Sequence, residues 1–327
     1  MAIALLFTPP ALLAQPTGGQ VVSGQASIGT PAKGLLTINQ TSQKAILNWQ
    51  NFSIGVGEAT HFQQPSGGVA LNRVTGGSPS EILGTLTSTG QVFLVNSSGI
   101  LFGKSSVLNV GGLTASTLDI ADSDFLDGNY RFFNDGTAKS ITNQGELSAY
   151  EGSYIALLAP EVRNEGVITA RLGTVAIGAG DRISLDFDGD GLIGLNVEES
   201  ALNGRIDNKQ ALHADGGQVI LSARAAGSLA ETVINNEGVI RANTASERNG
   251  RIVLEGARFI SQSGSLTATG SSDTNGGSVR ISADNVVLSG DVDVSGQLGG
   301  DIEVDANGNL IQTEGSQLSA KGSTAAG

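Results

Sequence analysis

Apolar and polar residues alternate with a period of two along most of the chain, in short runs separated by glycine and asparagine. Residues 84–117 instead hold short apolar runs divided by tight turns. They predict three strands, Gln91–Val95, Ile100–Phe102 and Val107–Val110, with a type I turn at residues 96–99. Three strands in fewer than thirty residues leave no room for crossover helices. The segment therefore predicts one full coil of a winding sheet.

Two short sequence units recur after residue 140 and extend the same pattern. One unit starts with asparagine or glutamine and ends with alanine, at 143–149, 164–170, 208–214, 236–242 and 262–268. The other alternates aliphatic with polar residues, at 216–223, 249–254, 276–283 and 299–306. Four small inward positions follow one another at intervals of 26 residues: Ala242, Ala268, Val294 and Ala320. A repeat of this length with two or three strands is typical of a solenoid.

These repeats predict an all-β fold, a right-handed single-stranded parallel β-helix with an N-terminal β cap. Inward aliphatic side chains would form ladders with a step of about 4.8 Å, the ordinary spacing of strands. Amide hydrogen bonds would join Asn143, Asn164, Asn208 and Asn236 in a polar ladder at one corner. A leucine-rich repeat would need a denser leucine pattern, and a β-sandwich does not explain the repeat.

Aromatic residues are concentrated in the first half of the chain, with 12 of the 14 before residue 160. A solenoid ends in an unpaired strand edge, which has to be covered. We therefore interpret residues 17–80 as the cap together with the first coils. Aromatic side chains such as Trp49, Phe52 and Phe62 are expected to close that end of the core.

The chain divides into three segments on this interpretation. Residues 1–16 carry a short apolar run without a basic front end, and we interpret them as a signal-peptide remnant or a disordered tail. Residues 17–140 are predicted to form the cap and first coils. Residues 141–327 are predicted to form a shaft of repeats, which we expect to continue in the natural polypeptide.

Charge and cysteine content exclude several classes of partner and site. The 18 basic and 31 acidic residues give a net charge of −13. No basic segment is large enough to hold nucleic acid, and no segment is a candidate for membrane insertion. The absence of cysteine excludes disulfides and thiolate metal sites.

One acidic segment has the opening of a calcium-binding loop. Asp186, Asp188 and Asp190 follow the Asp-x-Asp-x-Asp-Gly spacing, but Val197 stands where the loop needs its twelfth, bidentate ligand. We expect no cofactor, with calcium at these three residues as the open alternative. The segment is interpreted as an insertion between coils or a hairpin that projects from the helix.

No catalytic constellation stands out in the sequence. Asp301, Glu303 and Asp305 share the outer face of one predicted strand, but no lysine or arginine lies near them in the sequence. His61 and His213 are isolated, and no nucleophile is paired with either. We therefore predict that the chain is not an enzyme.

Residues 17–120 resemble a known family closely. The matching text is AILNWQNFSIG at 45–55, HFQQP at 61–65, VALNRVT at 69–75, ILGTL at 82–86, GQVFLVNSSGILFG at 90–103 and GLTAST at 112–117. It resembles the two-partner-secretion domain of the filamentous haemagglutinin family, especially that of the high-molecular-weight adhesins. The repeats after residue 140 resemble the β-helical shaft of the same family.

The resemblance implies an exported exoprotein of a Gram-negative-type cell. It would cross the periplasm and be recognised there by the periplasmic domains of an Omp85-type outer-membrane transporter. It would then be secreted or held at the cell surface, where the shaft acts as an adhesin for a ligand that the sequence does not identify. Two other classes stay open: a carbohydrate-active β-helix enzyme and the stalk of a contact-dependent toxin-delivery protein.

The resemblance also indicates which residues a transporter would recognise. The family signature Asn-Pro-Asn-Gly-Ile falls on Asn96, Ser97, Ser98, Gly99 and Ile100, with serine in place of proline and of the second asparagine. Four further candidates lie in the predicted cap: Asn48, Trp49, Asn51 and Phe52. The structural alternative is that the first set only forms a turn between buried strands and the second set only packs the cap.

Overall fold

The computed structural model describes residues 14–187, 192–226, 233–245 and 248–323. This part of the chain is nearly all strand, with one short helix. Most of the predicted signal-peptide remnant, residues 1–13, lies outside the described residues. Within the described ranges, no helix has the length and apolar character needed to cross a membrane.

The elements follow one another in five groups along the chain. The first group is β1 (Gln20–Ser23), β2 (Ala26–Ile28), β3 (Leu35–Gln40), β4 (Lys44–Trp49), β5 (Ala59–Gln63), β6 (Val69–Val74), β7 (Ser80–Ile82), β8 (Thr85–Ser88), β9 (Gln91–Val95), β10 (Ile100–Phe102), β11 (Val107–Val110) and β12 (Gly112–Ser116). A first insertion holds β13 (Asp119–Ile120), α1 (Asp122–Asp127) and β14 (Tyr130–Phe133). The coils resume with β15 (Ile141–Asn143), β16 (Glu146–Ala149), β17 (Tyr154–Ala159), β18 (Glu161–Asn164), β19 (Val167–Thr169) and β20 (Thr174–Ala179).

A second insertion and the last coils complete the described chain. The insertion holds β21 (Arg182–Phe187) and β22 (Ile193–Glu199). The last group is β23 (Arg205–Asn208), β24 (Ala211–His213), β25 (Gln218–Ala223), β26 (Ile234–Asn236), β27 (Val239–Arg241), β28 (Arg251–Gly256), β29 (Phe259–Gln262), β30 (Ser265–Thr267), β31 (Ser278–Leu288), β32 (Asp291–Asp293), β33 (Asp301–Gln312) and β34 (Leu318–Ser319).

Successive strands stack in parallel into three faces, so the predicted β-helix is confirmed. Face 1 holds β4, β6, β9, β12, β17, β20, β25, β28 and the first halves of β31 and β33. Face 2 holds β7, β10, β15, β18, β23, β26, β29 and the second halves of β31 and β33. Face 3 holds β3, β5, β8, β11, β16, β19, β24, β27, β30, β32 and β34. The three strands predicted for residues 84–117 are β9, β10 and β11, with the predicted bounds.

Inward aliphatic residues form continuous columns through the coils. On face 1, Val92 lies opposite Leu113, which lies opposite Ile155, and the column continues through later coils in the same register. These three side chains are fully buried. Because the side chains of a strand alternate between its two sides, the period-two pattern sends every second residue into this column.

The predicted asparagine ladder is present inside face 2. The Nδ2 of Asn143 donates to Oδ1 of Asn164 at 2.8 Å, Asn164 donates to Asn208 at 2.7 Å, and Asn208 donates to Asn236 at 2.6 Å. Gln262, which was not predicted, extends it by accepting from Asn236 at 2.7 Å. All five side chains are buried. A buried amide is tolerated only when it is hydrogen-bonded, and here each coil supplies the partner for the next.

The N-terminal cap is built from two antiparallel strands. β1 pairs with β4 and β2 pairs with β3, so both exposed edges of the first coil are covered. Trp49, Phe52 and Phe62 lie in the core beneath it, with ring centroids 5.4 Å apart for the first pair and 6.3 Å for the second. The predicted cap is therefore confirmed, together with its aromatic packing.

The two insertions fold back onto the outer side of face 1. β13, β14, β21 and β22 form one antiparallel sheet, and with α1 they make a layer that we call the outer cover. The described strands of the second insertion, β21 and β22, therefore lie against the helix, and residues 188–191 between them lie outside the described residues. Beneath the outer cover, every residue of Tyr154–Ala159 and Thr174–Ala179 is buried, because these strands are covered on both sides.

A second aromatic cluster fills the space under the outer cover. The Phe93 ring lies 5.5 Å from that of Phe125 and 5.2 Å from that of Tyr130, and Tyr154 lies 5.0 Å from Phe187. The sequence showed these residues as aromatic-rich but gave no sign that they face outward from the coils. They belong to a second hydrophobic core, separate from the one inside the helix.

Candidate recognition site

Residues 96–100 form the tight turn that the sequence predicts between β9 and β10. The backbone N–H of Gly99 donates to the carbonyl oxygen of Asn96 at 3.1 Å, which closes the turn. The N–H of Ser98 donates to Oδ1 of Asn96 at 3.0 Å, so the asparagine side chain also shapes the loop. Gly99 has φ +114°, a backbone conformation that residues other than glycine rarely adopt.

The turn is held between the neighbouring coils. Nδ2 of Asn96 donates to the carbonyl of Ser78 at 3.0 Å and to Oγ of Ser80 at 2.9 Å. On the other side, the N–H of Lys139 donates to the carbonyl of Ser97 at 3.0 Å. Asn96 is consequently only 1% exposed. In the folded chain its amide serves the turn, and the half-exposed Ser97 and Ser98 are the side chains that a partner can reach.

The four cap candidates are also turned largely inward. Trp49 is buried and its Nε1–H donates to Oδ1 of Asn72 at 3.0 Å, while Phe52 is fully buried. The backbone carbonyl of Asn51 accepts a hydrogen bond of 2.8 Å from the N–H of Thr17. Oδ1 of Asn48 is buried without a hydrogen-bond partner in the described part of the chain.

Both candidate sets lie at one corner of the helix, where the chain passes from face 1 to face 2. The cap set and the turn are separated by one coil, whose residues 75–80 occupy the same corner. Thr75 donates from its N–H to the carbonyl of Trp49 at 2.8 Å, and Glu81 donates from its N–H to Oγ of Ser53 at 3.1 Å. The structure therefore brings together two segments that are nearly fifty residues apart in the sequence.

The corner continues into a cleft that the sequence did not predict. A cavity of about 390 Å³ opens where the two insertions leave and rejoin the coils. Its lining includes Lys139, Glu161 and Asp181, so it mixes both signs of charge. Lys139 also contacts the turn, yet it lies some forty residues further along the chain, and no local pattern links the two.

The remaining chemical candidates do not assemble into a reactive centre. Asp186 is exposed on β21, whereas Asp188 and Asp190 lie outside the described residues. In the described ranges, no group of three histidine, cysteine, aspartate or glutamate side chains is close enough to hold a metal ion. One acidic side chain of β33 has a basic neighbour on the adjacent strand β31: Nη1 of Arg280 lies 3.2 Å from Oε2 of Glu303. That pair is about half exposed and is an ordinary surface ion pair.

Comparison with known proteins gives consistent matches. Residues 14–268 match the family described as TPS secretion domain. The crystal structure of the HMW1 secretion domain from Haemophilus influenzae superimposes with a TM-score of 0.82 at 28% identity, covering 94% of this chain and 84% of that one.

Two curated relatives, both named heme/hemopexin-binding protein and both from Haemophilus influenzae, also match. They are 30% identical over 249 residues and 26% identical over 264 residues. Each match covers 73% of this chain but only 27% or 28% of the relative. The chain thus corresponds to about a quarter of the length of these curated relatives.

Proposed function

Because the chain belongs to the TPS secretion-domain family, we propose that a dedicated outer-membrane transporter of the Omp85 type recognises it through its periplasmic domains. The chain would cross the periplasm before that encounter and reach the medium or the cell surface of a Gram-negative-type cell. The β-helical shaft would serve as an adhesin.

One observation carries the proposal above the others. The agreement with the HMW1 secretion domain extends over 94% of the chain at 28% identity, so it is not confined to one part of the fold. A shared β-helix alone would not indicate a function, since one fold hosts many functions. The family match over residues 14–268 links this particular β-helix to secretion.

The fold suggests how export is driven. Each coil that emerges buries apolar surface against the coil before it, at about 25 cal/mol for every Å² removed from water. Folding outside the outer membrane would therefore oppose backward movement of the chain. The cap supplies the first surface onto which coils dock.

The two other classes of function are not favoured by the comparisons. A carbohydrate-active β-helix would need acidic residues lining a groove with a basic or metal partner, whereas Asp301, Glu303 and Asp305 lie on an open outer face. A toxin-delivery stalk would be identified by a separate toxin domain, which is a different kind of domain from a β-helix. We propose that this chain has no catalytic role.

Recognition at the corner described above is expected to involve Ser97. A photoreactive amino acid at position 97, introduced into the whole chain during export, should cross-link to the transporter. Ser261 is the control, since it is also a half-buried serine but lies on face 2 of a later coil, away from this corner. Adducts at position 97 and none at 261 support the proposal. Absence of adducts at 97, or equal yields at both positions, argues against recognition at this corner.

A further inference from the structure

The outer cover is tied back to the first coils by a half-buried arginine. Arg73 on β6 donates from Nε to Asp119 at 2.9 Å, from Nη1 to Asp122 at 2.6 Å, and from Nη2 to the carbonyl of Ile120. Its side chain is only 16% exposed. Burial alone would lower the pKa of this guanidinium, but hydrogen bonds and attraction from both carboxylates outweigh that effect and raise it.

A lysine one coil earlier makes a second tie. Nζ of Lys44 on β4 donates to the carbonyls of Phe125 and Leu126, each at 2.8 Å, near the C-terminal end of α1. The same ammonium lies 5.6 Å from the ring centroids of Phe125 and of Tyr130. Both ties join positions that are 46 to 82 residues apart in the sequence.

The outer cover is also connected to the turn at residues 96–100. Nδ2 of Asn134, just after β14, donates to Oδ1 of Asp181 at 2.7 Å, which joins the two insertions. Oδ1 of the same asparagine accepts from the N–H of Ala138 at 3.1 Å. The next residue, Lys139, accepts from Oγ1 of Thr117 at 2.8 Å and donates to the carbonyl of Ser97. A continuous set of contacts therefore runs from Arg73 to the turn.

A simple solenoid has no such long-range connection. Each coil contacts only its neighbours, so stability is a sum of local terms and unfolding can begin at any coil. Here one antiparallel sheet lies across the outer sides of β4 to β20. Without it, Ile46, Phe93 and Leu158 would expose a broad apolar face to water.

We propose that the outer cover is a latch, which joins the coils from β4 to β20 into one cooperative unit and closes over the turn at residues 96–100. The latch is complete only when β22 is in place, because β22 pairs with β21 and β21 pairs with β14. Before closure, the preceding coil holds the turn through Ser78 and Ser80. After closure, residues 139 and 140 of the next coil, which Asn134 ties to the outer cover, hold the other side through hydrogen bonds to Ser97 and Ile100.

The consequence for export rests on the proposed function. A transporter would have access to the whole turn, including Asn96, while residues up to 199 are still in transit, and closure of the latch would leave only the side chains of Ser97 and Ser98 accessible. Recognition and release would then be two states of the same corner. The conformational part of the inference needs no transporter and is tested separately.

Hydrogen exchange on the purified full chain, followed by mass spectrometry, measures the coupling directly. Arg73→Ala should raise exchange at least about tenfold in β13, β14, β21 and β22, and by a similar factor at residues 96–100, because cooperative units open together. The matched control is Arg280→Ala, which removes an arginine–carboxylate pair from the uncovered part of face 1. The control should affect exchange only near β31 and β33.

Confinement of the Arg73→Ala effect to residues 119–122 would overturn the inference, since the tie would then be local. If that variant does not fold, Asp122→Asn, which keeps the side-chain volume, is measured instead with the same two regions as readout. If Arg73→Ala raises exchange in both the outer cover and residues 96–100 but leaves cross-linking at position 97 unchanged, the latch is supported and its link to transport is refuted. Cross-linking without coupled exchange would refute the latch and leave the proposed function standing.

Discussion

A chain from which residues 17–120 have been deleted is expected to remain in the cell, with export reduced below detection. The deletion removes the cap, the turn with Ser97, and Arg73, which anchors the outer cover. It also exposes the strand edge of the coil that begins at β15, which is an aggregation hazard in its own right. Both the proposed recognition and the proposed folding step would be lost. Immunoblots of medium, surface and cell fractions measure the effect.

A matched deletion separates recognition from general damage to the solenoid. Removing residues 243–268 takes out one 26-residue repeat and joins Ala242 to Thr269, so the coil register is kept. The deleted segment lies away from the corner that holds the turn. Export of the shorter chain should therefore stay within about twofold of that of the parent chain. Normal export of the 17–120 deletion would refute the proposed mechanism outright.

Asn208→Leu should be the most damaging single substitution in the shaft. Asn208 lies in the middle of the ladder, where it accepts from Asn164 at 2.7 Å and donates to Asn236 at 2.6 Å. Leucine has a similar shape but leaves a buried donor and a buried acceptor unpaired, at about 1–3 kcal/mol each. The expected loss is therefore about 2–6 kcal/mol in the free energy of unfolding. Urea denaturation followed by circular dichroism would measure it.

Gln262→Leu provides the control at the end of the same ladder. Its Nε2 is buried without a partner among the described residues, and the next coil already places Leu288 at the equivalent position. Nδ2 of Asn236 loses one acceptor but stays 3.3 Å from the carbonyl of Gly238. This substitution should cost about 1 kcal/mol or less. Equal losses for the two variants would contradict this account, because Asn208 makes two hydrogen bonds in the ladder and Gln262 makes one.

The parts of the fold that the sequence predicts are those with a local period. Short apolar runs bounded by turn residues indicate β9 and β10, and alternating burial is seen in β11. The asparagine ladder follows from the same repeat, since equivalent positions in successive coils are adjacent in space. Gln262 was not predicted as a rung because its repeat begins with glutamine in place of asparagine.

The outer cover could not be predicted in this way. Its contacts join residues 46 to 82 positions apart, and nothing in the local sequence of Arg73 or Lys44 points to their partners. The available signal was loss of alternation, in QVFLV at Gln91–Val95 and in YIALLA at Tyr154–Ala159, because such runs indicate strands buried on both sides. The division at residue 140 stays a prediction. The pairing of β14 with β21 crosses it.

The sequence predicts the turn of the candidate site but not the contacts that the turn makes with neighbouring coils. The pattern of asparagine and glycine places the turn at residues 96–99. It does not show that the Asn96 side chain points toward Ser78 and Ser80, nor that Lys139 closes the other side. These contacts depend on how the coils stack, and they shift the accessible chemistry of the turn from Asn96 to Ser97 and Ser98.

Dependence of export on the partner transporter is the measurement that tests the central proposal most directly. The polypeptide would be directed to the periplasm by a standard signal peptide, in one strain with and one strain without the partner transporter. Residues 1–327 should appear outside the cell only when the transporter is present, and should be degraded in the periplasm otherwise. Equal amounts outside both strains would contradict transporter-dependent secretion.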